Sequence, residues 1–427
     1  MLIRMLKTPI LIFGVSLLLQ VTVILALGHY KHPVLWENGK LAQRLFDGKG
    51  FSFNFVGNSE ATSWQAPGYP FLLAGIWKLL GQTPSALFIL NLVQAILVSS
   101  IVFPVGWLTS RWFGPHPAAI ARWVVCLMPL YAWYTTRFHQ PAINIFFQPW
   151  LLAGWLKLYD SKSWRIAIPT GLATGLAALF QPVVLGVMGL ISAALAVRLA
   201  VQRQVKGLLW VILAGACTLL TIAPWTVRNY QVHGRFVPIK SNFGLQFWMG
   251  NSPHATGAAM VERGMKDIFQ AHPPASEELM GKVSEVEFMD AMKAEAWTYI
   301  DQSPGIFVLQ TLKKAFWFWT AVPKKYLRSY GDGEAVRFWW LHTGYWFGFL
   351  LLMLIGRLGW GRFSKEYMSV LAVYFVFYSI VYGVTIVGNA RFRGEMEFIF
   401  IPAVAAGFLS LLSRIQGIKP RRNYCRI

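Results

Sequence analysis

Stretches of about 20 apolar residues recur along this chain, and they constrain it more than any other feature. A run of that length is what a helix needs to cross the hydrocarbon core of a bilayer. Of the 427 residues, 56% are hydrophobic and 13% are charged. An ordinary soluble domain carries about 25% charged residues. The chain therefore reads as a polytopic membrane protein. A soluble enzyme, a disordered chain and a small disulfide scaffold are excluded. The runs expected to span are 9–27, 84–109, 119–138, 141–158, 166–181, 183–201, 207–225, 337–356, 368–388 and 397–413. Ten spans place both termini on one face.

Charge agrees with that topology. The formal net charge of +21 invites a nucleic-acid partner until it is mapped onto the runs. The short segments expected inside, among them Arg4, Lys7, Arg111, Arg203 and Arg422, hold 18 of the 39 Lys and Arg. They hold two of the 18 acids, Asp160 and Glu366. This is the positive-inside bias of inner loops, so no nucleic acid is needed to explain it. The first run is longer than the roughly 7–15 apolar residues of a signal peptide, so it is expected to stay as an uncleaved anchor. With that orientation both termini are expected on the cytoplasmic side.

Three divisions follow. Residues 1–226 form a transmembrane core with a first outer loop at 28–83. Residues 227–336 form an extracytoplasmic module. Residues 337–427 form the last spans and a basic cytoplasmic tail. In the first loop, 36–48 suits an amphipathic interfacial helix, and 67–80 is too short to span and suits an interfacial or re-entrant one. In the module, apolar residues from Leu279 to Trp297 recur at helical spacing within 276–300, with Ser276 at its start, and Pro304 opens a second helix. The three Cys (Cys126, Cys217 and Cys425) show no disulfide or metal-ligand spacing. The motifs of a zinc protease, a P-loop ATPase and an α/β-hydrolase do not occur.

Ionisable groups at a membrane edge are costly and point to function. Glu37 stands at the start of the first-loop helix. It can act as a general base toward a hydroxyl, or simply favour the helix N-terminus. Arg391 and Arg393 flank Phe392 between the last two spans. They can hold a lipid phosphate bidentately, or anchor the interface and pair with Glu395 and Glu397. Arg228 can snorkel from the end of a span, and the run from Phe236 to Asn251, with Lys240 and Asn251, can line a sugar site. Arg137, with His139 and Gln140, reads better as an interfacial cap.

Four segments taken in order resemble a family of bacterial glycosyltransferases. They are Trp36 to Ser52, the Pro-Gly-Tyr-Pro run at Pro67 to Pro70, Pro224-Trp225-x-x-Arg228-Asn229-Tyr230 with Gly234 to Pro238, and Ala390-Arg391-Phe392-Arg393. The resemblance is to family 39-type GT-C enzymes, relatives of protein mannosyltransferases and of the lipid A aminoarabinose transferase, and it covers nearly the whole chain. It implies an all-α polytopic fold, a GT-C-like bundle of about ten transmembrane helices with interfacial first-loop helices. It also implies transfer of a sugar, with inversion, from a polyprenyl-phosphate carrier to an extracytoplasmic lipid, glycan or protein. By the resemblance Glu37 is the base, Arg391 and Arg393 stabilise the leaving phosphate, and Tyr69, Arg228, Lys240 and Asn251 contact substrate. Many relatives carry two first-loop acids, whereas here Asn38 follows Glu37. That departure leaves a divalent metal open but without support, with no other cofactor expected, and the resemblance implies a bacterial inner (plasma) membrane as the location. The competing readings are a transporter or flippase of sugar or lipid-linked sugar, and a polysaccharide polymerase or ligase.

Overall fold

The computed structural model describes residues 8–258, 268–321, 334–360, 363–385 and 390–416; at 334–339, 359–360 and 390–391 it describes the backbone. The described elements are helices, apart from one isolated β bridge between Ser52 and Ala61. Helix α1 (Pro9–Leu27) leads into the first loop, which carries α2 (Trp36–Phe46) and α3 (Gly68–Leu80). Then come α4 (Pro84–Ser99), α5 (Val102–Phe113), α6 (Pro115–Cys126), α7 (Pro129–Thr135) and α8 (Pro141–Ser161). Helices α9 (Trp164–Phe180), α10 (Val183–Val201) and α11 (Val205–His233) complete the first part. The middle region holds α12 (Phe243–Gly250), the single turn α13 (Ile268–Ala271), α14 (Glu285–Gln302) and α15 (Pro304–Trp319). The chain ends with α16 (Glu334–Trp360), α17 (Lys365–Val384), the short α18 (Ala390–Gly394) and α19 (Ile401–Ile415). The all-α polytopic expectation holds.

Among the described residues six helices are long and apolar enough to cross a membrane: α1, α4 continued by α5, α10, α11, residues 340–358 of α16, and α17. The expected spans 166–181 and 397–413 appear as the shorter apolar helices α9 and α19. The expected single span 119–138 is divided into α6 and α7. Pro129 opens α7, and Met128 before it is extended, with ψ 111, because a residue preceding proline is pushed out of the helical region. Helix α11 runs on to His233, seven residues past the expected boundary at 226. The module helix expected over 276–300 starts later. Ala275–Leu279 is a 3-10 turn, and the helix begins at Glu285 behind a capping box formed by Ser284 and Glu287. The reciprocal hydrogen bonds of that box satisfy two orphan amides, which a lone Ser276 could not.

Small residues set the tightest packing. A Cβ on Gly171 would lie 2.2 Å from the Ala214 carbonyl oxygen, and one on Gly175 would lie 2.7 Å from that of Thr218. The Gly-x-x-x-Gly stripe of α9 thus lets α11 approach backbone to backbone, and Thr218 Oγ1 donates across to the Gly171 carbonyl at 3.0 Å. This is how helices associate where no hydrophobic effect drives them.

The two ends of the bundle differ. At one end Arg111 donates to Glu366 through Nε (2.5 Å) and Nη2 (2.8 Å) and to Asp160 through Nη2 (3.1 Å). These are the two acids expected inside, and one guanidinium joins them. Close by, Gly207 of α11 packs on Lys162. About 20 residues further along α11, roughly 30 Å at 1.5 Å per residue, Arg228 meets the first loop at the opposite end.

Candidate functional site

The first loop is held in place by its polar side chains. Helix α2 buries Asn38, Gly39, Leu41 and Ala42 on one face. Asn38 donates to Gln140 Oε1 at 3.3 Å, at the head of α8. Tyr69 of α3 is buried and donates to Gln94 Oε1 at 3.0 Å. Burial pushes the Tyr69 phenol up, which keeps it a donor. Gln94 in turn donates to the Thr135 and Arg137 carbonyls, both at 3.0 Å. The Arg137 guanidinium lies 4.0 Å above the Trp133 ring. The loop thus rests on residues 133–140, where α7 gives way to α8.

Glu37 sits next to Asn38 on this helix. It is half-buried and has no hydrogen-bond or ion-pair partner among the described residues. Trp36, just before it, has φ 50. A bulky residue in the left-handed region is a true outlier, costing on the order of 1–3 kcal/mol. The other two first-loop acids are engaged. Asp47 accepts from Gln43 at 2.8 Å, and Glu60 pairs with Arg44.

The 390–397 segment reaches the same 130–148 region from another side. A Cβ on Gly394 would lie 2.3 Å from Leu130 Cδ2, and α18 packs on α8. Arg393 is 1% exposed and fully engaged. It donates to Glu397 Oε1 (2.9 Å), the Phe318 carbonyl (3.0 Å) and the Thr320 carbonyl (2.7 Å). It also lies 4.3 Å above the Trp346 ring. Tyr345 donates to Glu397 Oε2 at 2.7 Å, and His342 Nε2 lies 2.9 Å from Oε1. The structure thus gives Arg393 an internal anchoring role, the pairing with Glu397 that the sequence left open. The Arg391 side chain lies outside the described residues.

Arg228 is also spent on protein. It donates to the carbonyls of Thr62 (2.6 Å) and Phe51 (2.8 Å) and stacks on Trp225. Next to it, buried Asn229 donates to the Val237 (3.0 Å) and Ile239 (3.1 Å) carbonyls. Asn251 donates to the Phe247 (2.9 Å) and Val384 (2.7 Å) carbonyls and accepts from Lys314 Nζ at 2.9 Å. Lys240 is half-buried and has an interaction partner. Four of the seven expected site residues, Tyr69, Arg228, Asn251 and Arg393, therefore have polar groups bonded to protein.

Two residues that sequence reasoning passed over hold the middle region in place. The Glu285 carboxylate accepts from Thr62 Oγ1, the Ser63 amide (2.9 Å) and Ser241 Oγ (2.6 Å). It joins first loop, α12 approach and α14 at one point. Its signal was the Ser-x-x-Glu capping box that starts one residue earlier. Glu287 of that box is held below the usual carboxylate range by the Ser284 side-chain and backbone donors. Lys314 is fully buried and donates to Gly250 O (2.9 Å), Asn251 Oδ1 (2.9 Å) and Thr385 O (2.8 Å). Nothing in its sequence context marked it, because its acceptors come from distant segments. Among the described residues no three of His, Cys, Asp and Glu gather into a metal-binding group.

No protein-family model matches the chain, and no curated protein sequence does. Solved structures do. The apo oligosaccharyltransferase of Archaeoglobus fulgidus overlays with a TM-score of 0.52 at 12% identity, covering 94% of this chain and 51% of that one. The same enzyme tethered to an acceptor peptide containing the NVT sequon gives 0.51 at 14% identity, covering 94% and 50%. ArnT from Cupriavidus metallidurans bound to undecaprenyl phosphate covers 96% and 78% at 15% identity, but its TM-score of 0.40 is too low to establish a shared fold. The chain spans about half the length of the oligosaccharyltransferase it overlays. At such identities the likeness concerns the fold, and the fold is GT-C-like: a polytopic helical bundle with a first-loop helix pair at one end.

Proposed function

We propose that the chain is a membrane glycosyltransferase that moves a sugar from a polyprenyl-phosphate carrier to an extracytoplasmic acceptor. The observation that carries this reading is the state of Glu37. It is the one first-loop acid with no partner among the described residues, on a helix buttressed through Asn38 and Gln140, in a fold shared with an oligosaccharyltransferase. In the reaction, Glu37 takes the proton of an acceptor hydroxyl as its oxygen attacks the anomeric carbon. The bond from that carbon to the phosphate oxygen breaks, polyprenyl phosphate leaves, and the configuration inverts. Arg391 is assigned to the leaving phosphate, where a fixed positive charge stabilises the developing negative one, with Lys240 assigned to substrate. Arg393, Arg228, Tyr69 and Asn251 act as positioning residues, since their donors are already committed to protein. The sugar-donor class and the outward-facing site rest on the four-segment resemblance.

The test is a purified chain in proteoliposomes, given radiolabelled polyprenyl-phosphate sugar and a membrane extract as acceptor source. Free polyprenyl phosphate and labelled product are expected together. Glu37→Gln should lower the rate by about 10²–10⁴-fold, the usual share of a general base, with the protein present at normal level. Movement of uncleaved donor across the bilayer would identify a transporter instead. Full turnover by Glu37→Gln would remove Glu37 from the chemistry.

A further inference from the structure

Helix α15 belongs by sequence to an extracytoplasmic module, yet its surroundings are those of a membrane helix. Its partner is α17, one of the candidate spans. The two run antiparallel: Gly383 packs on Thr311, Phe318 stacks on Tyr382 at 4.9 Å, and Trp319 donates to Ser379 Oγ at 2.7 Å and stacks on Phe375 at 4.6 Å. Phe375 lies about 10 residues inward from the outer end of a 20-residue helix. At 1.5 Å per residue that is roughly 15 Å, half the thickness of a hydrocarbon core. The end of α15 is therefore near mid-depth.

The outer face of α15 has no protein against it among the described residues. Leu309 is 68% exposed, Leu312 62% and Phe316 63%. Neighbouring α17 leaves Phe375, Val376 and Ile380 exposed in the same way. Because α17 is apolar enough to span, its bare face is a lipid face, and that of α15 continues it.

A helix that stops inside a bilayer leaves its last carbonyls without water, which is tolerated only where protein satisfies them. Here three carbonyls at that end have protein donors. Arg393 donates to the Phe318 and Thr320 carbonyls, and Trp346 Nε1 donates to that of Trp319. A cation is also the favoured charge at a helix C-terminus, and Glu397 neutralises it within the protein.

We propose that α15 is a re-entrant membrane helix, with Leu309, Leu312 and Phe316 against lipid and its C-terminus capped at mid-depth by Arg393 and Trp346. This does not depend on the reaction proposed above. Nitroxide labels at positions 309, 312 and 316, one at a time in a chain lacking Cys126, Cys217 and Cys425 and held in lipid nanodiscs, test it. A label at Glu278, on an exposed 3-10 turn, serves as the water reference. All three labels should relax faster with oxygen than with a water-soluble nickel chelate, and the oxygen-to-nickel ratio should rise from 309 to 316. Nickel access equal to that at 278 overturns the proposal, because α15 would then lie in water. Exclusion of both reagents also overturns it, because another protein surface would then cover the face. The unmutated chain gives a second reading that needs no cysteine variant. A lipid-dissolved diazirine should label the peptide containing 309–316 on irradiation, and an unlabelled peptide counts against the proposal.

Discussion

Glu285 gives the sharpest test of how the first-loop end of the bundle is held. Its carboxylate gathers three donors from two segments far away in sequence. Ser63 N and Ser241 Oγ share Oε1, at 2.9 and 2.6 Å, and Thr62 Oγ1 takes Oε2. Glu285→Ala strands all three donors in a region where Glu285 is 5% exposed. A hydrogen bond to a charged group contributes about 1.5–3 kcal/mol, and a stranded buried donor costs about 1–3 kcal/mol. These costs overlap and do not add fully, so a local loss of roughly 3–5 kcal/mol is expected. Glu285→Gln should behave differently. Its amide oxygen keeps the two bonds on Oε1, and the Thr62 hydroxyl can rotate to accept from the new amide nitrogen. The loss should then be about 1 kcal/mol. Hydrogen exchange of the 51–64 peptide reads this directly. Every 1.4 kcal/mol is a factor of ten, so exchange there should quicken on the order of 10²- to 10³-fold in the Ala variant and less than about 10-fold in the Gln variant. Equal exchange in both variants would refute the reasoning, because the three bonds would then contribute nothing beyond the space the side chain fills.

Two further outcomes follow from the geometry. Gly171→Val should destabilise the α9–α11 pair by several kcal/mol, since its Cβ would meet a backbone oxygen at 2.2 Å that cannot move aside without shifting a helix; denaturant unfolding in detergent checks it against Gly189→Val, where nothing lies within 4 Å. The capping box at Ser284 should show a pH signature: Glu287 is held below its usual value in the folded chain, so its contribution is complete above about pH 4.3 and is lost as the pH falls through the lowered value. Acidification should therefore lower the hydrogen-exchange protection of amides at the start of α14 relative to their intrinsic rates, and Ser284→Ala should weaken that pH dependence.

The bundle was legible because membrane insertion imposes a simple code of run length and flanking charge. Arg111 brings Asp160 and Glu366, the two acids expected on one face, onto one guanidinium, so their segments meet at the same end of the bundle. The first-loop helices were legible for a related reason, as amphipathic spacing and a Pro-Gly-Tyr-Pro start are local signals. What could not be read was breakage and long-range pairing. A continuous apolar run such as 119–138 does not show by hydropathy that Pro129 divides it. Lys314 looks like one of two adjacent surface lysines, yet its ammonium is buried among carbonyls from residues 250 and 385. Arg393 had a local hint, Glu397 one helical turn away, but that acid became its partner only because α15 and α16 close around both.

This division between legible and hidden residues bears on the chemistry. An arginine at a membrane edge is equally suited to binding an anion and to satisfying protein carbonyls, because both tasks need a permanent multidentate donor. Only the number of acceptors already in place separates them. Arg228 has the carbonyls of residues 51 and 62, and Arg393 has those of 318 and 320 together with a carboxylate. Recruiting either to a phosphate would strand those acceptors in the interior, at about 1–3 kcal/mol each. Glu37 stands in the reverse position. Asp47 and Glu60 in the same loop have partners, and α2 is tied down through the neighbouring Asn38 rather than through Glu37. In the reaction we propose, a carboxylate fixed by its backbone, half-buried and not engaged by a cation among the described residues keeps its lone pairs for an incoming hydroxyl. A general base needs that freedom, and an ion pair would remove it.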